Sequence, residues 1–469
     1  MLFQSQLFLF VFLPLVLGGY YLAAYHASRI GDSTRKWLLV IASFWFYGYW
    51  DVRLLPLLVL SILANWTFAR LYPAHGRLML TVGIVLNLSL LGVFKYADFF
   101  ANSLAFLLGT THEDWNIILP LAISFFTFQQ ISYLVDRRRN RAPVYSLLDY
   151  ALYISFFPQL IAGPIVRHHE IIGQFSLNPF RDGLAERMGR GLTLLVIGLV
   201  KKVFLADPLG RIADPLFGIA AEGGALSFAE AWTGTLAYTF QLYYDFSSYS
   251  DMAIGMGLMF GFMLPLNFDS PYKATSIREL WRRWHMTLTR FLRDYVYTPV
   301  GLSLPKEEKV LRESAATMVT MSLIGAWHGA AWSYVVFGAI HGVAMIIDQT
   351  WVRLRLPLPR FAGRFLTFLF FAVSLVLFRS EDFGVSWQMW GAMAGAGGLD
   401  LGGAPLGREG FALLSMAALL AFFAPNSQTI ALDRLRPMRS AAAAVGIALL
   451  AVLVEIGGGG NVEFIYFQF

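Results

Sequence analysis

The stretch FQSQLFLFVFLPLVLGGYYLAAY, from Phe3 to Tyr25, decides the fold. It contains no charged side chain. A hydrocarbon core of about 30 Å is crossed by roughly 20 apolar residues in a helix, and this run is that long. Backbone N–H and C=O groups find no water in lipid, so they must pair within the segment. A removable leader begins with positive residues and ends on a small-residue cleavage site. This run has neither feature, so it is expected to stay as the first span.

The rest of the chain agrees. Of 469 residues, 57% are hydrophobic and 14% charged. Soluble domains hold roughly 45–50% apolar and about 25% charged residues. A soluble globule of this size cannot hide so much apolar surface. Disorder, collagen and coiled coil are excluded by the same composition. The expectation is an all-α, polytopic membrane protein. Cysteine is absent, which removes disulfides, thiolate zinc sites and a cysteine nucleophile. The net charge of +6 reads as basic loops rather than a polyanionic partner. Nothing in it resembles a nucleic-acid-binding pattern.

Four further spans follow at Trp37–Tyr49, Leu54–Leu71, Leu78–Phe99 and Ile117–Val135. Arg29, Arg35 and Lys36 follow the first span, Arg70 and Arg77 the third, and Arg137, Arg138, Arg139 and Arg141 the fifth. By the positive-inside rule these loops are expected in the cytoplasm and the N-terminus outside. Apolar stretches continue at Leu147–Ile165, Leu192–Leu205, Ala229–Tyr244 and Met252–Leu266. Polar, Pro/Gly-broken pieces such as Arg167–Arg190 separate them. At membrane depth such backbone is tolerated only where it is buried in protein or lines a cavity. Later spans are expected at Ala315–Tyr334, Val335–Trp351, Phe365–Phe378, Phe411–Phe423 and Ala441–Ile456. The length criterion gives roughly 11–13 transmembrane helices, with re-entrant and amphipathic pieces besides. Gly395–Gly410 reads as a Gly-rich loop outside the core.

The densest segment is Asn267–Tyr297. Ser276 with Glu279 forms a capping box, so a helix is expected to start there. Ile277, Leu280, Trp281, Trp284, Leu288, Phe291, Leu292 and Tyr295 then recur at helical spacing. Arg278, Arg282, Arg283, Arg290 and Arg293 fill much of the other face. The pattern predicts one amphipathic helix, lying at the interface or entering the protein.

An ionisable side chain inside a membrane is expensive, so each is a candidate for function. His328 sits in Gly325-Ala326-Trp327-His328-Gly329-Ala330, within an apolar run. A neutral imidazole there can serve as a general base or as a hydrogen-bonded packing residue. His341 is thirteen residues on, on a different face of any continuous helix. His341 and Asp348 are nearly eclipsed, which fits an orienting pair or separate structural hydrogen bonds. His285 lies at the apolar/polar boundary of the amphipathic segment. His168 and His169 read as a solvated loop, and are weak metal candidates because a structural zinc site takes four ligands. Asp245 and Asp251, in Tyr244–Asp251 between two apolar runs, are costly unless paired or wet. They suit a polar tunnel lining, an arginine partner, or caps on a broken helix. A glycine run, Gly457–Gly460, precedes the aromatic tail Phe464-Ile465-Tyr466-Phe467-Gln468-Phe469. Glycines give a hinge; the tail then either reaches a pocket or anchors at the interface.

These stretches together resemble the membrane-bound O-acyltransferase (MBOAT) family, in its alginate O-acetylation branch, the AlgI type. The likeness covers nearly the whole chain. It includes Phe44–Trp50, Ile123–Gln129, Ala162–Arg167, Tyr244–Asp251, Asn267-Phe268, Leu280–Leu288, Trp327-His328-Gly329 and Phe464–Phe469. The resemblance implies one MBOAT transmembrane domain over residues 1–469, with helices around a tunnel. Within it, 1–145 would be N-terminal helices, 146–352 a catalytic core, 353–456 C-terminal helices and 457–469 a hinged tail.

The resemblance also assigns roles. The histidine matching the family's essential catalytic residue is His328, and the second implicated histidine is His285. Tyr466 matches a tyrosine proposed as a transient acyl acceptor. Trp327, Arg282, Trp284, Asp245, Asp251 and Asn267 are implied as tunnel or supporting residues. No metal and no bound cofactor are implied; the donor would be acetyl-CoA or another acyl thioester. The implied activity is O-acetylation of an exported polysaccharide, alginate first, with peptidoglycan, cellulose or teichoic acid as alternatives. Implied surroundings are the lipids of a bacterial inner membrane, polysaccharide biosynthesis machinery and an SGNH-type extracytoplasmic transferase. The competing classes are a transporter or lipid flippase, and a structural scaffold; both would make thioester turnover independent of His328.

Overall fold

The structure, a computed structural model, describes residues 1–305, 307–380, 382–399, 407–458 and 463–465. Among these residues the chain is helical and no strand occurs. Six helices are long and apolar enough to cross a membrane: Phe8–Tyr25, Val52–Pro73, Arg77–Leu108, Trp332–Arg353, Arg360–Ser380 and Arg439–Gly457. The other expected spans correspond to helices that are shorter or more polar. The clearest case is Phe228–Met259, one unbroken helix. A break within Tyr244–Asp251 was one of the readings the sequence left open. The helix continues because its polar side chains are buried in protein and partnered there: Ser248 donates to the Asp245 carbonyl at 2.6 Å, and Tyr244 to the Ala417 carbonyl at 2.7 Å.

The chain divides into two compact units. The first contains Met1–Leu199, Tyr249–Leu266 and Ile430–Glu463. Its core is aromatic. Phe8 lies 4.9 Å from Phe3, 5.9 Å from Phe46 and 6.1 Å from Phe157, ring centre to ring centre. Arg35 is 1% exposed, yet its guanidinium is satisfied by Asp32, the Tyr20 hydroxyl and the Phe175 carbonyl. Asn65, Asn87, Ser61 and Gln130 form a buried amide network between helices. This unit also corrects one expectation. His168 is not in solvent: it is buried, with Nε2 3.2 Å from Asp136 and Nδ1 2.9 Å from the Tyr145 hydroxyl. Its neighbour His169 is the exposed one. Alternation along the short helix His168–Ile171 turns one ring in and one out.

The second unit contains Val200–Ser248, Asn267–Thr429 and the tail residues Phe464 and Ile465. Its spine is a hairpin of Lys309–His328 and Trp332–Arg353. Two glycines let these helices touch backbone to backbone. A Cβ at Gly325 would overlap the Tyr334 carbonyl, and one at Gly338 the Met321 carbonyl. Small residues at such a crossing are how helices pack closely in lipid. The helix Arg360–Ser380 lies against the hairpin through Phe378, 5.2 Å from Phe337.

The amphipathic segment starts where expected. The Ser276 hydroxyl accepts from the Glu279 N–H at 3.3 Å, and the Glu279 carboxylate accepts from the Thr275 N–H at 2.8 Å. It then departs from expectation. Instead of one helix there are two, Ile277–Arg283 and Met286–Leu292, with a turn at Trp284 and His285. His285 carries φ +43°, a left-handed conformation that a non-glycine residue rarely takes. Such strain persists only where the surroundings enforce it, and it concentrates at functional sites.

Candidate functional site

His328 is the last residue of the Lys309–His328 helix, at the mouth of the hairpin turn. Gly329 follows it, and a Cβ there would collide with the Tyr334 ring. The turn therefore needs glycine to let the tyrosine pack beneath the histidine. His328 is 5% exposed. It faces a narrow pocket walled by Trp281, Trp284, Phe246, Phe371 and Phe378. The walls are aromatic, so the imidazole is the chamber's chief polar group. Phe378 meets the His328 ring at 4.9 Å, edge on.

The turn in the amphipathic segment delivers the second histidine. His285 is fully buried. Its Nδ1 lies 3.1 Å from Asn267 Oδ1. That oxygen also accepts from the Thr287 N–H at 3.3 Å and the Thr287 hydroxyl at 2.8 Å. An atom held by two other donors is a carbonyl oxygen, so His285 Nδ1 carries the proton and donates to it. Nε2 is then the bare nitrogen. It is buried without a hydrogen-bond partner among the described residues. Burial pushes the His285 pKa down to about 3, so the ring stays neutral and Nε2 keeps its lone pair. Trp327 stands beside both histidines, 6.0 Å from His285 and 5.0 Å from His328. Phe246, a chamber wall, meets the His285 ring at 4.8 Å.

This arrangement gives a first prediction. Asn267→Ala removes the group that fixes the His285 tautomer. A group that orients a functional histidine through its other ring nitrogen is worth about 10–100-fold, so turnover is expected to fall by that factor. Asn267→Asp, which keeps an acceptor oxygen, is expected to restore most of it. Equal turnover in wild type and Asn267→Ala would remove Asn267 from the site.

His341 does not pair with Asp348. Seven residues along a helix separate them by roughly 10.5 Å of rise, too far for contact. His341 Nδ1 instead accepts from the Trp281 indole N–H at 3.2 Å, and its Nε2 lies 3.0 Å from Ser374 Oγ. It fixes Trp281, which forms a wall of the chamber. Asp348 pairs with Arg278 at 2.6 Å.

The remaining candidates divide. Trp284, Trp327 and Asn267 gather around the two histidines. Arg282 points away: it is exposed and donates to the Arg278 carbonyl at 3.2 Å. Asp245 is buried and pairs with Lys202 at 2.6 Å, a lysine where an arginine was one of the expected alternatives. Sequence reasoning passed over Lys202, although a lysine at the end of the apolar stretch Leu192–Leu205 was the available signal. Asp251 is buried, in the other unit. Tyr466 and the glycines Gly459 and Gly460 lie outside the described residues.

Comparison with known proteins bears on this geometry. The model of the membrane-bound O-acyltransferase family matches residues 9–380. The chain is 41% identical over 436 residues to the peptidoglycan O-acetyltransferase of Helicobacter pylori, covering 86% of this chain and 81% of that one. It is 38% identical over 409 residues to the probable alginate O-acetylase AlgI of Pseudomonas aeruginosa, covering 84% and 75%. It is 27% identical over 250 residues to the teichoic acid D-alanyltransferase of Streptococcus thermophilus, covering 52% and 60%. The chain belongs to the membrane-bound O-acyltransferase family. It is a multi-pass membrane acyltransferase.

Proposed function

We propose that this chain takes an acetyl group from a cytoplasmic thioester, acetyl-CoA, and passes it across a bacterial inner membrane for O-acetylation of an extracytoplasmic polysaccharide. His328 acts as the general base. It removes the proton of the acceptor hydroxyl as that oxygen attacks the acetyl carbonyl. The C–O bond forms, the C–S bond breaks, and the proton passes from the imidazolium to the leaving thiolate. His285 offers its bare Nε2 to an N–H of the donor's arm, which aligns the thioester. The aromatic walls exclude water, which protects the thioester from hydrolysis and strengthens every polar contact inside. The family resemblance makes Tyr466, in the C-terminal tail, the covalent carrier. Its phenolic ester is activated enough to hand the acetyl group to an extracytoplasmic transferase.

The observation that carries this reading is the tautomer of His285 held by Asn267, with Trp327 against both the His285 and the His328 ring. A scaffold or transport path has no need of a buried imidazole lone pair held ready. The similarity to peptidoglycan and alginate acetylating enzymes supports a glycan acceptor. The two identities are too close to rank the glycans, so alginate, the expectation from sequence, stands beside peptidoglycan.

The test is genetic and chemical. The gene is deleted, then restored as wild type or His285→Ala. Base-labile acetate is measured on isolated peptidoglycan and on exported polysaccharide. Wild type is expected to restore acetate on one glycan, and His285→Ala to restore less than a tenth of it, in line with the roughly 10²-fold cost of misplacing a reacting group. Acetate unchanged on every glycan after deletion would refute the proposal.

A further inference from the structure

Acyl transfer needs its carrier held in one position, and the carrier reading puts Tyr466 in a segment that follows a glycine run in the sequence. Glycine loses more backbone freedom on ordering than any other residue. Something must hold the tail. The described end of the chain has such a hold. Phe464 is 1% exposed and Ile465 7% exposed. The Ile465 N–H donates to Asp245 Oδ2 at 2.9 Å. The other oxygen of the same carboxylate, Oδ1, takes the Lys202 ammonium at 2.6 Å. Lys202 also meets Asp207 at 2.8 Å, and the Phe464 ring covers its ammonium at 4.4 Å. An ammonium over an aromatic face is attracted by the ring's quadrupole, most strongly where water is excluded. Asp245 thus grips tail backbone and lysine at once, and the lysine grips a tail side chain.

The place matters as much as the contacts. Asp245 directly precedes Phe246 in the helix Phe228–Met259, and Phe246 is a wall of the His328 chamber. Tyr466 directly follows Ile465, and consecutive Cα atoms are about 3.8 Å apart. We infer that Asp245, Lys202 and Phe464 form a latch that holds the C-terminal tail and positions Tyr466 for acylation. These are positioning residues: none needs to touch the acetyl group. The inference rests on the carrier reading for its purpose, but the latch itself is a matter of tail docking and can be measured apart from chemistry.

The absence of cysteine makes that measurement clean. Ile465→Cys keeps the backbone N–H that Asp245 binds and places one buried thiol in the tail. In purified full-length protein this thiol is expected to react slowly with a maleimide. Asp245→Ala removes the acceptor while leaving Lys202 paired with Asp207. Phe464→Ala removes only the ring and leaves the ion cluster whole, so at least one of the two variants keeps the fold. Either change is expected to speed labelling by about tenfold or more, because a docked segment loses protection as its local opening becomes easier. With acetyl-CoA, both variants are expected to keep KM and to lose about tenfold in kcat for tail acetylation, because fewer molecules hold the tail docked while the thioester site is untouched. Unchanged labelling in both variants would overturn the latch. A parallel fall in KM and kcat would overturn the positioning role. If wild type gains no acetyl at Tyr466 while labelling still rises, the carrier reading fails and the latch stands.

Discussion

His328→Ala is expected to reduce acetyl transfer by about 10²–10⁴-fold, the range for losing a positioned general base. Binding of the thioester should change little, because the chamber's aromatic walls remain. The loss should therefore appear in kcat, with KM within a few fold of wild type. The fold should survive. His328 ends its helix and is followed by Gly329, so alanine removes a ring from the end of an element rather than from its middle. Retention of wild-type helicity and elution volume checks that. His328→Gln preserves much of the volume and polarity without a titratable base; it should be as inactive as alanine. Activity in His328→Gln near that of wild type would leave the imidazole as a packing group.

The second large effect is structural. Gly338→Val is expected to destabilise the second unit by about 3 kcal/mol, the upper end of ordinary overpacking. The new side chain has nowhere to go. Its Cβ would overlap the Met321 carbonyl and press on the backbone of Gly325. The obstruction is backbone, which cannot rotate aside as a long side chain would. The hairpin must separate, and His328 moves with it. Lost thermal stability and lost activity should appear together. Gly446→Ala is the control. Gly446 lies in the exposed apolar helix Arg439–Gly457, and a Cβ there meets nothing within 4 Å. The substitution should not destabilise, and should gain up to about 1 kcal/mol from the helix preference for alanine over glycine. Equal destabilisation by both changes would mean that the hairpin crossing is not a constraint.

Much of this architecture could be read directly from the chain. Runs such as Phe3–Tyr25 and Leu78–Phe99 became long apolar helices because apolar length is a direct physical requirement of lipid. The capping box at Ser276 worked for a similar reason, since it is local chemistry. The break at Trp284–His285 was hidden because the apolar period runs through it without a slip. Only the tertiary demand of Asn267, eighteen residues earlier by numbering and held against His285 by the hydrogen bond described, forces the left-handed turn. The same limit applies to Asp245. The sequence marked it as costly but could not pick Lys202, because ion pairing between distant segments leaves no spacing to read. His168 was misplaced because a charged-looking loop of Arg167, His168 and His169 carries no sign of which ring turns inward. For His328 the residues alone left a base and a packing group both open; the family resemblance singled it out, and the side chain lines the aromatic pocket.

The central claim is that acetyl leaves a thioester through His328 and pauses on Tyr466. It is tested most directly by supplying labelled acetyl-CoA to the purified full-length protein and locating the label by peptide mass spectrometry. Wild type, His328→Ala and Tyr466→Phe are compared. The account predicts acetyl on Tyr466 in wild type alone, with thioester consumption lost in His328→Ala. Acetyl on the chain of His328→Ala at the wild-type rate would contradict it.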